Sequence, residues 1–216
     1  MRRIETRRWN RVAGAALAAA WLGTAGAGAE TIEPDAAQAG ARAAVNETVD
    51  NVLAVLRDES LSRPTRLERV EQLAYGRFDF DTISKLVLAR NWNKLTPEQR
   101  ADFVAQFKRH LSLTYGDNLE EYSDENVEVG STRVEGNGDV TVRTRLVGGG
   151  RPEPVLIDYR LRPKQGEWRV IDVIIEGVSM IANFRSQTQE IITEKGADGL
   201  IDALRAKNAK REAEQS

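Results

Sequence analysis

Three places in the chain carry residue types that could do chemistry. Gly177-Val178-Ser179-Met180-Ile181 is the front half of the G-x-S-x-G turn that lifts a nucleophilic serine above a sheet. The second glycine is missing, and a serine hydrolase is not expected. His110, the one histidine, follows Phe103 and Phe107 at helical spacing, and no nucleophile is spaced to pair with it, so it reads as a structural or surface residue. Asp172 alternates with apolar Val170 and Ile174. A carboxylate there either has buried partners or faces water near a strand edge, and the plainer expectation is water. The acidic pairs Asp79/Asp81, Glu120/Glu121 and Asp124/Glu125 read as caps or solvated faces.

Cysteine is absent, which excludes thiolate nucleophiles, Cys/His metal clusters and disulfides. No glycine-rich stretch has phosphate-cradling spacing, and GGGRP at 148–152 reads as a hairpin loop. Neither a cofactor nor a metal is therefore expected.

The N-terminus is cationic, MRRIETRRWNR, and is followed by the small-residue apolar run VAGAALAAAWLGTAGAGA. Ala27-Gly28-Ala29 offers a cleavage site, so residues 1–29 read as a secretory signal peptide that exports the mature chain. Without cysteine there is no lipid-anchored alternative, and an exported domain must be held by its core alone. Residues 1–29 hold five Arg and one Glu, a net of +4, so the formal charge of −2 becomes −6 after cleavage. An acidic body without aromatic-interleaved cations argues against nucleic acid and against adhesion to anionic lipid surfaces.

The elements that position these residues divide into a helical half and a strand half. From Pro34 an apolar stripe runs through Val45, Val49, Val52 and Leu56, and Pro64 opens a shorter helix with Leu67, Val70 and Leu73. Asp81 is expected to cap a third helix. Thr96-Pro97-Glu98-Gln99 has the pattern of a capping box, opening a fourth helix that aligns Phe103, Phe107, Leu111, Tyr115, Leu119 and Tyr122. After Gly130 the period becomes two. Val140, Val142, Thr144 and Leu146 alternate with more polar neighbours, as do Val155, Ile157, Tyr159 and Leu161. With flanking strands at 127–134 and 168–175, the pattern predicts a four-stranded antiparallel meander. Beyond Ser179, a candidate N-cap, helical spacing resumes and ends at Gly196. One more helix follows, and residues 209–216 read as a disordered polar tail. The fold class is α+β, one domain over 30–208, with helices covering one face of the sheet.

Three stretches resemble the MlaC family of periplasmic phospholipid carriers: LVLARNWNKLTPEQRADFVAQFKRHLSLTYGDNLEEY (86–122), GEWRVIDVIIEGVSMIANFRSQ (166–187) and GADGLIDALRAKN (196–208). The resemblance spans roughly Phe78 to Asn208. The chain departs from the family pattern at Ala89, where glycine is usual, at Gly116 and at Thr188. What the resemblance implies is a cystatin/NTF2-like α+β fold whose curved sheet and helices enclose an apolar cavity for acyl chains. It also implies a monomeric shuttle between an outer-membrane lipoprotein complex and an inner-membrane ABC transporter with an MCE-domain subunit, maintaining outer-membrane lipid asymmetry without covalent chemistry.

On that basis the expected cavity lining is Phe107, Leu111, Val142, Leu146, Val155, Ile157, Tyr159, Val173, Ile175, Ile181 and Phe184, with Arg185 at the mouth near a head group. Alternatives are a hopanoid or other hydrophobic lipid as cargo, a closed-core interaction module, and an enzyme of the ketosteroid isomerase kind using Tyr159 as donor and Asp172 as base.

Overall fold

The computed structural model describes residues 33–120 and 124–215, with backbone alone for 115–120 and 215. The leader expected over residues 1–29 lies outside the described residues, as does Tyr122. Helix α1 spans Pro34–Leu56, α2 Arg63–Arg77, α3 Phe80–Leu88 and α4 Pro97–Glu120, with a 3₁₀ segment at Ala89–Lys94. The strands are β1 Asn126–Val134, β2 Val140–Val147, β3 Val155–Lys164, β4 Glu167–Ile175 and β5 Val178–Ser179. Helix α5 runs Met180–Gln215.

Local chemistry explains most of the boundaries. Thr96 Oγ1 accepts the Gln99 N–H at 3.2 Å while Gln99 Oε1 accepts the Thr96 N–H at 3.0 Å, the expected reciprocal box. Ser179 Oγ accepts the Ala182 N–H at 3.1 Å and opens α5 as expected. The cap of α3 is Asp79, not Asp81: its Oδ1 accepts the Thr82 N–H at 3.1 Å and its Oδ2 the Thr82 hydroxyl at 2.6 Å. Two acids two residues apart compete for one cap, and only Asp79, which lies just outside the helix, can turn back onto the first turn.

The sheet is an all-antiparallel meander in the order β1-β2-β3-β4-β5. The fifth strand is an addition to the expected four. Glu176 and Gly177, both at positive φ (49° and 79°), make a two-residue turn, and Ile175 pairs with Val178 before the chain enters α5. Glu176 is held there on β3, where its N–H donates to Leu156 O at 2.9 Å and its Oε1 accepts the Leu156 N–H at 2.6 Å.

Two apolar clusters result. In the first, α1 presents Ala37, Ala41, Ala44 and Val45 to Val140, Val142, Leu161 and Val170 of the sheet. Small side chains let the helix lie close, and Gly40 passes so near Trp168 that a Cβ there would sit 2.4 Å from the indole Nε1. The second cluster joins α3, α4 and α5 through Ile83, Val87, Phe103, Phe107, Phe184 and Leu200. Helix α5 breaks where expected, at Gly196 (φ 70°).

The expected disordered tail is a correction. Helix continues through Gln215 because its side chains find partners on α4. Arg211 donates to Leu113 O at 2.8 Å, Glu212 pairs with Arg109 at 2.7 Å, and Asn208 meets Gln106 and His110. A polar segment read in isolation shows no apolar face, and these polar ties replace one. Among the described residues no helix is long and apolar enough to cross a membrane.

Candidate functional site

Strand pairing puts seven of the expected lining residues on one face of the sheet. Alternation makes every cross-strand row share a side, and the rows are Val142–Tyr159–Val173, Thr144–Ile157–Ile175 and Leu146–Val155. The opposite face carries Arg143, Arg145, Asp158 and Arg160, with ion pairs such as Arg145–Glu128.

Cover over the apolar face is uneven. The rows under the first turns of α1 are buried: Val140, Val142 and Leu161 have no exposed surface. Toward the Glu176–Gly177 end, Leu146, Val155, Ile157, Tyr159, Val173 and Ile175 are each only half-buried, although their strands lie inside the sheet. Within this stretch Thr144 is buried, and its hydroxyl is satisfied by donating to Ile157 O at 2.6 Å.

Tyr159 stands at the centre of that face. It retains accessible surface, yet burial pushes its phenol pKa up, with no other cause, and its hydroxyl makes no hydrogen bond among the described residues. Its ring packs against the cluster that α1 forms with the sheet, as does Val173 beside it.

The other four expected lining residues lie elsewhere. Phe107 and Leu111 of α4 and Ile181 and Phe184 of α5 are packed in the helical cluster, with Phe107 and Phe184 edge to face at 5.0 Å. Periodicity identified them as buried. It did not say which of two apolar clusters they join.

Asp172 does not face water. It is 1 % exposed, and its carboxylate accepts from Ser179 Oγ at 2.6 Å and from the Ile181 N–H at 3.1 Å, with Arg160 Nη1 3.7 Å away. Its strand position pairs with Arg160, whereas Tyr159 pairs with Val173. Tyr159 and Asp172 therefore point to opposite faces, and the donor–base pair of the enzymatic alternative is not formed.

Arg185 is exposed and already engaged. Its Nε and Nη2 donate to Leu86 O at 2.9 and 2.6 Å, holding the C-terminal end of α3 against α5. The asparagine of the Arg90-Asn91-Trp92 motif does related work: Asn91 is buried and donates to Gln189 Oε1 of α5 at 3.1 Å. Lys210 and Arg211 fall in the segment expected to be a disordered tail, although their spacing of three and four from Lys207 puts all three on one side of a helix.

The protein-family model described as MlaC protein matches residues 46–206. A toluene tolerance protein of Pseudomonas putida is 33% identical over 122 residues, 56% of this chain and 56% of the relative. The intermembrane phospholipid transport system binding protein MlaC of Haemophilus influenzae is 27% identical over 121 residues, 55% of this chain and 56% of the relative. The chain thus spans about half the length of the curated relatives it matches. A phospholipid-binding protein from Ralstonia solanacearum, solved in complex with a phospholipid, is 30% identical, with a TM-score of 0.71 over 79% of this chain and 98% of that one.

Proposed function

The chain belongs to the MlaC family, and from that premise we propose that it is a periplasmic carrier that takes up phospholipid and shuttles it between an outer-membrane lipoprotein complex and an inner-membrane ABC transporter with its MCE-domain subunit. In this role it maintains the lipid asymmetry of the outer membrane, and it does so without covalent chemistry. The observation that carries this reading is the apolar sheet face that α1 covers at one end only.

The acyl chains lie against Leu146, Val155, Ile157, Tyr159, Val173 and Ile175, with Val142 at the closed end under α1. Phe107, Leu111, Ile181 and Phe184 back the helical wall from the core side. The mouth is at the Glu176–Gly177 end, where the cover thins. Burial of an acyl chain contributes about 0.8 kcal/mol per methylene, so two tails in water cost on the order of 20 kcal/mol. A carrier must return most of that through apolar contact and little through specific bonds, because bonds would slow release. A greasy hollow with one phenol in it has that balance.

Native mass spectrometry of protein purified from membrane-bearing cells, with thin-layer chromatography of its solvent extract, tests the reading. Phospholipid in stoichiometric amount is expected. A homogeneous lipid-free protein whose folded form accepts no phospholipid from vesicles would sink it.

A further inference from the structure

A cleft lies between α4 and the two halves of α5. It has a volume of about 450 Å³, and its chemistry is opposite to that of the sheet face. The second half of α5 contributes Lys207, Lys210 and Arg211 from successive turns, against the single acid Glu214. Neutral polar groups line the facing walls: Asn183 and Gln187 on the first half of α5, and Thr114 on α4. His110 forms part of the floor beside Phe184.

We propose that this cleft is a binding site for a phosphate group, held by Lys207, Lys210 and Arg211 and touching His110. The site is independent of the lipid-carrier reading. Its three cations and Glu214 lie beyond residue 206, where the match to the family ends.

Charge and size favour phosphate. The cleft places three cations against one carboxylate in a chain whose net charge is −2. The excess of two matches a dianion. Lys210 is loosely paired with Glu214 at 3.7 Å, and Arg211 spends Nη1 on Leu113 O, which leaves its other guanidinium nitrogens to turn inward. Lys207 makes no ion pair among the described residues. A length of about two helical turns on one wall and one on each other wall suits a phosphate with a small organic remainder. It is too short for a partner's helix.

His110 reports on the site. Asn208 donates through its amide nitrogen to Gln106 O at 3.0 Å, so its Oδ1, 3.1 Å from His110 Nδ1, is the acceptor. Nδ1 is then the donor in the neutral ring, and Nε2 is the nitrogen free to take a proton. Burial first, then Lys207 and Arg211, hold the imidazole pKa below its usual value, the Asn208 hydrogen bond acting in the opposite sense. The charged groups of α5 around the cleft are Lys207, Lys210, Arg211 and Glu214. On α4 the neighbouring Arg109 is paired to Glu212. A bound phosphate offsets the cations and raises the pKa. By reciprocity the His110 proton strengthens binding of phosphate in a given charge state, an effect that the anion's own conversion to the monoanion at low pH opposes.

The full folded chain with its one histidine provides the test, since the ring protons of His110 are a single set of signals in proton NMR. The His110 midpoint is followed in inorganic phosphate, in chloride at matched ionic strength and with a polyglutamate peptide. Neutral phosphatidylcholine vesicles with or without phosphatidic acid form a further arm, read by co-sedimentation. The expected result is a saturable upward shift with phosphate, absent with chloride and lost in Lys207→Gln/Lys210→Gln, whose exposed sites leave the fold intact. Binding to phosphatidic acid vesicles alone, lost in the same variant, assigns the phosphate to a lipid headgroup. The same response to chloride, a response to polyglutamate only, or a shift that survives the double substitution would overturn the proposal.

Discussion

Asp172 on β4 and Ser179 at the head of α5 are joined by a 2.6 Å hydrogen bond, and the second oxygen of the same carboxylate accepts the Ile181 N–H. The acid clamps the last long strand to the first turn of the helix that follows, across the Glu176–Gly177 reversal. Asp172→Ala leaves the hydroxyl and the N–H without their buried acceptor and is expected to cost about 3 kcal/mol, with Asp172→Asn costing less because one acceptor oxygen remains. Urea unfolding measures both. A loss below about 0.5 kcal/mol for the alanine variant, the usual range of an ordinary surface substitution, would rule out the clamp.

Ala89, which ends α3 and opens the 3₁₀ segment, sits at φ 50° and ψ −127°, a region that costs a Cβ-bearing residue on the order of 1–3 kcal/mol. Glycine relieves this at some cost in unfolded-state entropy. Ala89→Gly is therefore expected to stabilise the protein by about 1 kcal/mol, seen as a higher denaturation midpoint with unchanged slope. A lower midpoint would show that the backbone there is not strained.

Asp79 links pH to stability. Burial alone would raise its pKa, but hydrogen bonds from Lys164 Nζ at 2.8 Å and from the Thr82 hydroxyl and N–H outweigh burial, so the folded value is lowered. A depressed carboxyl contributes stability that is complete above the unfolded pKa, about 3.9, and is lost as pH falls through the folded value. Wild-type protein should thus weaken progressively below about pH 4. Asp79→Asn should weaken less steeply there and cost about 1 kcal/mol at neutral pH through the impaired cap. Parallel acid titrations of the two proteins would refute the assignment.

Ile157 lies mid-row between Thr144 and Ile175 on the half-covered face. Ile157→Trp adds volume there. In a hollow it displaces acyl chains while the fold persists, whereas in a filled core it strains the fold by about 1–3 kcal/mol. The expected outcome is several-fold less extractable phospholipid per molecule with unchanged far-UV circular dichroism. Unchanged lipid content in a destabilised protein would exclude this face as the lining.

Arg185 is expected to act on stability rather than on cargo. Arg185→Ala removes two donors from Leu86 O and should cost about 1 kcal/mol, leaving phospholipid per folded molecule unchanged. Lipid loss at unchanged stability would place the guanidinium at the head group instead.

Much of this molecule is local and therefore legible in the order of its residues. The Thr96–Gln99 box, the Ser179 cap, the break at Gly196 and the alternation of β2 and β3 each depend on residues a few positions apart. Such short-range patterning is enough to set the α+β class, the meander and the shared face of Val142, Leu146, Ile157 and Tyr159. Tertiary structure alone decided what covers that face. It sent Phe107 and Phe184 to a separate helical cluster, buried Asp172 behind Ser179, and drew Lys210 and Arg211 out of an apparent tail to join Lys207 beside α4. The physical reason is that a hydrophobic period records which side of an element leaves water, whereas the surface it meets is set by contacts between residues far apart in the chain, and burial itself is non-directional.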